Sequence, residues 1–193
     1  MIEFIEGRIA SLFPTHIVVD TGGIGYFINI SLFTYSQLEG KKEIKILVHE
    51  VIREDAHLLF GFFTAPEREL FRLLISVSGV GANTARMMLS SVEPAGIESA
   101  ILQADVNILK GIKGIGLKTA QRIIVDLKDK VGKSPFSAEI FGISDNTVKD
   151  EAFTALVMLG FPKNAVGKVL ENILLADKDL SVELLIKKAL KIL

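Results

Sequence analysis

The strongest constraint on the fold is an internal repeat. Ser76-Val77-Ser78-Gly79-Val80-Gly81-Ala82-Asn83-Thr84-Ala85 returns 35 residues later as Gly111-Ile112-Lys113-Gly114-Ile115-Gly116-Leu117-Lys118-Thr119-Ala120. Gly79 matches Gly114, Gly81 matches Gly116, and Thr84-Ala85 matches Thr119-Ala120. Each copy stands between stretches of apolar helical periodicity, so each reads as two helices joined by a tight glycine turn. Glycine suits such a turn because it reaches positive φ at little steric cost, and it places no Cβ in the way of an approaching group. Two such turns in register commit the middle of the chain to paired helical hairpins.

The chemistry follows from the geometry. The helix after each turn is expected to start at 82–84 or 117–119, so its unpaired N–H groups and positive dipole end face the turn. That layout, a helix-hairpin-helix, suits a backbone phosphate. Val80 and Ile115, between the glycines, are expected to point inward and pin the turns. Lys118 can add a charge contact, with Lys113 and Arg122 near enough to assist. The candidate backbone-contacting set is Gly79, Gly81, Asn83, Thr84, Lys113, Gly114, Gly116, Lys118, Thr119 and Arg122. Such contacts position a nucleic acid without reading its bases. A P-loop is the rival reading of residues 111–119, G-x-x-x-x-G-x-K-T. It fails because Leu117 separates the last glycine from the lysine and no strand precedes it. The plain alternative, glycine turns that only join packed helices, is weakened by the duplication.

Charge partitions along the chain. The net charge of −1 argues by itself against a nucleic-acid binder, but residues 64–133 hold 10 Lys/Arg against 7 Asp/Glu. The flanking segments are net acidic: 5 against 8 over residues 1–63 and 7 against 8 over 134–193. The one basic segment contains both hairpins, with a footprint modest enough that binding must rest on backbone geometry and on multiplied sites. Cysteine is absent, which excludes disulfides and thiolate metal sites and is compatible with a cytoplasmic location. No stretch approaches the length of a membrane span, and the acidic start does not read as a signal peptide.

The chain is expected to be multidomain, β then all-α. Over residues 1–63, short β-branched runs at 3–10, 16–20, 26–30, 44–52 and 56–62 suggest a small closed barrel of the OB-fold kind. From Pro66 the period changes to helical, with Leu70, Leu73, Leu74 and Val77 on one face and Glu67 and Glu69 suited to a helix start. Residues 64–133 therefore read as an all-helical domain with both hairpins. Residues 134–146 mix Ser, Pro, Gly and acidic residues and read as a flexible linker. Residues 147–193 resume helical periodicity in three pieces, with Ser181 a plausible N-cap and Glu183 in the first turn behind it, giving a small three-helix bundle.

Two further features stand out. Glu54-Asp55 puts adjacent carboxylates between two strands, at an exposed hairpin tip. Read from the residues alone, a solvated turn is the simpler account. His16, His49 and His57 lack metal-ligand spacing, and no nucleophile elbow or HExxH pattern occurs, so neither cofactor nor catalytic residue is expected. In the last bundle, Leu156, Met158, Leu159, Phe161 and Val166 cluster around Gly160, and any left exposed would form a docking patch.

Taken in order, the barrel-like start, the Arg53-Glu54-Asp55-Ala56 turn followed by Leu58-Leu59-Phe60-Gly61-Phe62, the two hairpins, the linker and the Leu159-Gly160-Phe161 bundle are similar to the bacterial RuvA family over the whole chain. The resemblance implies a homotetramer, or a face-to-face octamer, that holds a four-way DNA junction open. It implies hairpins on the minor-groove backbone of the arms and an acidic pin formed by Glu54 and Asp55, repelling phosphates at the crossover. It implies docking of the hexameric AAA+ motor RuvB on the last bundle, with Leu156, Leu159 and Phe161 as contacts, and it raises the resolvase RuvC as a further partner. The ATPase would then reside in the motor rather than in this chain. Family members often carry Lys at the places of Asn83 and Leu117, which implies a weaker first hairpin here. The rival functions are a helix-hairpin-helix repair nuclease or glycosylase, for which Asp126 and Asp129 are the available carboxylates, and a protein-interaction adaptor joining a barrel to a ubiquitin-associated-like bundle.

Overall fold

The computed structural model describes residues 1–131, 147–177 and 180–193. The expected linker over 134–146 lies outside the described residues. The described residues fall into two compact units, one up to Val131 and one from Thr147 onward.

The first unit opens with a closed barrel of order β1-β2-β3-β5-β4. Its strands are β1 (Phe4–Phe13), β2 (His16–Asp20), β3 (Gly25–Ile30), β4 (Glu43–Ile52) and β5 (His57–Phe62). β1 is longer than its β-branched run predicts. Its first half pairs with β4 and its second half with β2, and a register shift between Ile9 and Ser11 lets one strand serve both neighbours. β3 and β5 pair in parallel, which closes the barrel. Between β3 and β4 lies α1 (Leu32–Leu38), a short helix absent from the sequence reading and started by Ser31, whose hydroxyl accepts from the Thr34 amide.

β5 divides the packing of this unit. Its pleat sends Leu59 and Gly61 into the barrel and Phe60 and Phe62 outward. Leu59 joins Ile17, Ile28 and Ile46 in the barrel core, while Phe60 and Phe62 join the core of the helical layer. There Phe71 packs against both rings, with centroids at 5.3 and 4.8 Å. A side chain at Gly61 would meet Ile28 and Ile46, so only glycine fits where the strand crosses the barrel interior. The apolar run 58–62 is thus a strand buried on both faces.

The helical layer contains α2 (Ala65–Ile75), α3 (Ala82–Ser91), α4 (Pro94–Leu102), α5 (Val106–Lys110) and α6 (Leu117–Leu127). Thr64 caps α2 and Pro66 sits in its first turn. Glu67 does not face solvent at the helix start as its position suggests. It is buried between α2 and α1, where Oε1 accepts from the Ser31 hydroxyl at 2.5 Å and Oε2 from the Thr34 hydroxyl at 2.6 Å.

The second unit comprises α7 (Thr147–Met158), α8 (Lys163–Ala176) and α9 (Val182–Ala189) around a core that includes Leu156, Val166, Leu170 and Leu185. Ser181 caps α9 by accepting from the Leu184 amide, with Glu183 in the first turn. Among the described residues, no helix is long and apolar enough to cross a membrane.

Candidate nucleic-acid interface

The sequence repeat is also a hydrogen-bond repeat. In the first hairpin, α2 to α3, the amide of Val77 donates to Leu74 O, Val80 to Val77 O and Ala85 to Gly81 O, at 3.1, 3.0 and 2.9 Å. In the second, α5 to α6, Ile112 donates to Leu109 O, Ile115 to Ile112 O and Ala120 to Gly116 O, at 3.2, 3.0 and 2.9 Å. Every donor and acceptor is displaced by the same 35 residues. Val80 and Ile115 are buried and hold the turns to the shared core.

The two glycines of each turn do different work. Gly79 and Gly114 take φ of +94° and +91°, which a side chain tolerates poorly. Gly81 and Gly116 do not use the positive φ that glycine permits. They are the N-caps of α3 and α6, with φ of −85° and −82°. A Cβ at either would meet nothing within 4 Å. Among the described residues, neither backbone angle nor a close neighbour therefore demands glycine at these two positions. Serine, aspartate or asparagine would cap a helix better there. Neither helix start receives a side-chain cap, so its first amides point outward unclaimed.

Around these turns, Asn83, Lys113 and Lys118 are exposed, while Thr84 and Thr119 are partly buried. Arg122 reaches from α6 to the first turn, where Nη1 donates to Ser78 O at 3.5 Å, so the two turns are neighbours. The exposed cations are unevenly shared. Lys110, Lys113, Lys118, Arg122, Lys128 and Lys130 all lie on or just after the second hairpin. In the first, Arg68 pairs with Glu3, and Arg86 donates to Thr15 O and Asn29 Oδ1 at 2.9 and 3.2 Å. Both serve the barrel contact.

Glu54 and Asp55 lie at the exposed tip of the β4–β5 hairpin, closed by the Arg53 amide on Ala56 O at 2.8 Å. Neither carboxylate forms an ion pair with another described residue. The histidines have packing roles: His16 stacks between Phe13 and Phe27, His49 meets Phe71 edge-on, and His57 pairs with Glu50. Among the described residues, no group of three or more acidic or histidine side chains is placed to hold a metal ion.

In the second unit one expected contact is corrected. Leu156 is 0% exposed at the centre of the bundle, because its position on α7 faces Val166 and Leu170, and it cannot reach a partner. Leu159, at 62% exposure, and its neighbour Met158, at 84%, are open, and Phe161 is partly buried.

The residues that sequence reasoning missed are Ser31, Thr34, Glu67 and Arg86. Burial pushes the Glu67 carboxyl above its ordinary range, partly offset by the hydrogen bonds from Ser31, Thr34 and the Phe63 amide. The local signal was Thr64 three residues before Glu67, a helix-start pattern whose carboxylate usually returns to its own cap. Here it reaches the barrel side instead.

A closed barrel joined to two in-register glycine turns, followed later in the chain by a separate three-helix bundle, defines a tandem helix-hairpin-helix protein of modular build. Three family descriptions match along it: RuvA N terminal domain over residues 1–61, SAM-like Helix-hairpin-helix tandem over 71–129, and RuvA, C-terminal domain over 147–193. The chain belongs to the RuvA family. It is similar to the Holliday junction branch migration complex subunit RuvA of Christiangramia forsetii, at 49% identity over 191 residues and 99% of each chain. The subunit of the same name from Bacteroides fragilis is 49% identical over 199 residues, again 99% of each chain. That from Porphyromonas gingivalis is 48% identical over 202 residues and 100% of each.

Proposed function

We propose that this chain is a non-enzymatic scaffold that binds four-way DNA junctions, holds them open and presents them to a hexameric RuvB-type ATPase motor for branch migration in recombination and repair. The observation that carries the reading is the pair Gly81 and Gly116. Each has ordinary φ, open surroundings and an uncapped helix behind it. Glycine stands at both positions although no described residue fills the space a Cβ would take, and a phosphate seated on the helix amides is a group that would use that space. The backbone-contacting set is then Gly79, Gly81, Asn83, Thr84, Lys113, Gly114, Gly116, Lys118, Thr119 and Arg122, with Lys118 the principal charge.

Glu54 and Asp55 form the acidic pin of this reading. Their exposed carboxylates, placed at the crossover, would repel phosphates and keep separated strands apart. The strand order, with β3 and β5 parallel, supports an OB-fold barrel, and the three short helices of the second unit support a ubiquitin-associated-like bundle. Leu159, Met158 and Phe161 are the docking surface for the motor. A homotetramer or octamer in the cytoplasm, with a RuvC-type resolvase as a further partner, completes the reading; four copies would multiply a modest positive patch into four arm contacts.

The test compares a synthetic four-way junction with linear duplex of the same sequence across a salt series. Tight junction binding, much weaker duplex binding and steep loss with salt are expected. Equal affinity for the two DNAs would overturn the scaffold, and cleavage of the junction by purified chain would make it a nuclease.

A further inference from the structure

The two hairpins are attached to the barrel very differently. The first is clamped to it from both of its helices. From α2, Glu67 accepts from Ser31 and Thr34 and from the Phe63 amide, and Arg68 donates to the backbone oxygen of Glu3 at 3.0 Å while pairing with its carboxylate. From α3, Arg86 Nη1 donates to Thr15 O and Asn29 Oδ1, and the Ser90 hydroxyl accepts from the Leu32 amide at 3.1 Å. Glu67 is buried, so its bonds from Ser31 and Thr34 are shielded from solvent competition, whereas the Arg86 and Ser90 contacts lie nearer the surface. Among the described residues the second hairpin makes no hydrogen bond or ion pair with the barrel; its recorded polar tie leads to the first hairpin, through Arg122 and Ser78 O.

We propose that the clamps of Glu67 and Arg86 make the first hairpin a positioning strut, fixing both backbone grips relative to the acidic turn and so setting the preference for a junction over plain duplex. The inference rests on the junction-binding reading above. Duplex needs only the glycine turns, and a turn grips a phosphate whether or not the barrel behind it is aligned. A junction must meet the grips and the Glu54-Asp55 turn together, so its affinity carries a factor for the fraction of molecules in which the two are in register. The clamps keep that fraction near one. Arg86 acts in this through Thr15 and Asn29, to which its Nη1 is bonded, rather than through DNA. Glu67 acts through α1, which stands between β3 and β4, the strand that leads to the acidic tip.

Two full-length variants test the strut by different chemistry. Arg86→Met keeps the apolar stem and removes both hydrogen bonds of Nη1. Thr34→Val removes one hydroxyl partner of Glu67 without changing the charge of the protein. Thermal unfolding fixes a temperature at which each is folded, and fluorescence anisotropy then measures affinity for a four-way junction and for linear duplex. Junction affinity is expected to fall about tenfold in each, with duplex affinity unchanged within about twofold. A general loss of charge or of folded protein would weaken both DNAs together. An unchanged ratio of junction to duplex affinity in the folded variants overturns the strut, and Arg86→Met decides alone if Thr34→Val does not fold. A wild-type chain without junction preference overturns the functional reading as well, so the two failures are told apart by the wild-type arm.

Discussion

Gly116→Ala and Gly114→Ala lie two residues apart in the same turn, and the structure assigns them opposite consequences. At Gly114, φ is +91°, and an alanine there costs roughly 1–2 kcal/mol because its Cβ crowds the following carbonyl. At about 2–4 °C per kcal/mol, that is a fall in melting temperature of about 2–8 °C. At Gly116, φ is −82° and ψ 168°, and no atom lies within 4 Å of an added Cβ. The poorer N-cap costs about 0.5–1 kcal/mol, while the stiffer unfolded chain returns about 0.4–1 kcal/mol. The net effect on stability is close to zero.

Binding reverses the order of severity. A methyl at residue 116 stands where a phosphate must approach the amides of α6, and the charge-assisted hydrogen bonds it displaces are worth about 1.5–3 kcal/mol. Junction affinity should fall roughly 10- to 100-fold, with the melting curve unmoved. Anisotropy with a labelled junction and thermal denaturation on the same sample give both quantities. Wild-type affinity in a folded Gly116→Ala variant would refute the reasoning, since no outside group would then need that space. A loss of stability matching that of Gly114→Ala would refute it too.

Lys118→Ala should weaken junction and duplex alike and lower the salt slope by about 1, whereas Asn83→Lys should strengthen both and raise the slope by about 1, read from binding isotherms across a salt series. Replacing Glu54 and Asp55 together with Lys should keep or strengthen DNA binding while altering the choice among junction, fork and duplex; competition between those DNAs is the readout, and an unchanged preference would leave the turn with no role beyond closure of the hairpin. Glu67 carries a pH signature. Its folded pKa is raised above the ordinary 4.5, chiefly by burial, so the stability it contributes is fully present below that value and is lost as pH rises through the folded pKa. Denaturant melts of wild type and Glu67→Gln should therefore diverge in favour of the variant as pH rises above about 4.5, and parallel curves would refute the assignment. Leu159→Glu should abolish motor recruitment in a pull-down while leaving junction affinity and bundle stability intact, whereas Leu156→Ala should cost about 2–5 kcal/mol of bundle stability, because it empties a core position.

What the sequence made legible was whatever is written in local chemistry. The doubled glycine turns, the inward Val80 and Ile115, the hairpin tip at Glu54-Asp55 and the Ser181 cap each follow from neighbouring residues. What it hid depends on contacts distant in the chain. Glu67 has the ordinary look of an acidic residue in a first helical turn, and only α1, more than thirty residues earlier, makes it a buried anchor. α1 itself is seven residues long, too short to show a period. Leu156 and Leu159 look alike in sequence, but Leu156 lies inside α7 and faces the core, whereas Leu159 lies past its end at Met158, where the chain turns at Gly160 with φ of +99°. Gly79 and Gly81 likewise look equivalent, but their backbone angles separate a conformational need from a spatial one.

The same distinction resolves the charge. A net charge of −1 describes a poor DNA ligand, yet the cations do not act as a sum. Arg68, Arg72 and Arg86 are engaged inside the unit, with Glu3, Glu69, Thr15 and Asn29, and contribute packing geometry rather than surface potential. Lys110, Lys113, Lys118, Arg122, Lys128 and Lys130 remain exposed, grouped around the second turn. The two copies of the repeat therefore differ in physical role. The cations of the first are engaged with the barrel and with Glu69; those of the second are exposed, and the second has no polar tie to the barrel among the described residues. Moving a lysine into the first copy with Asn83→Lys raises affinity without restoring symmetry, because the clamps that distinguish the copies lie behind the turn, in Glu67 and Arg86, where the added charge does not reach.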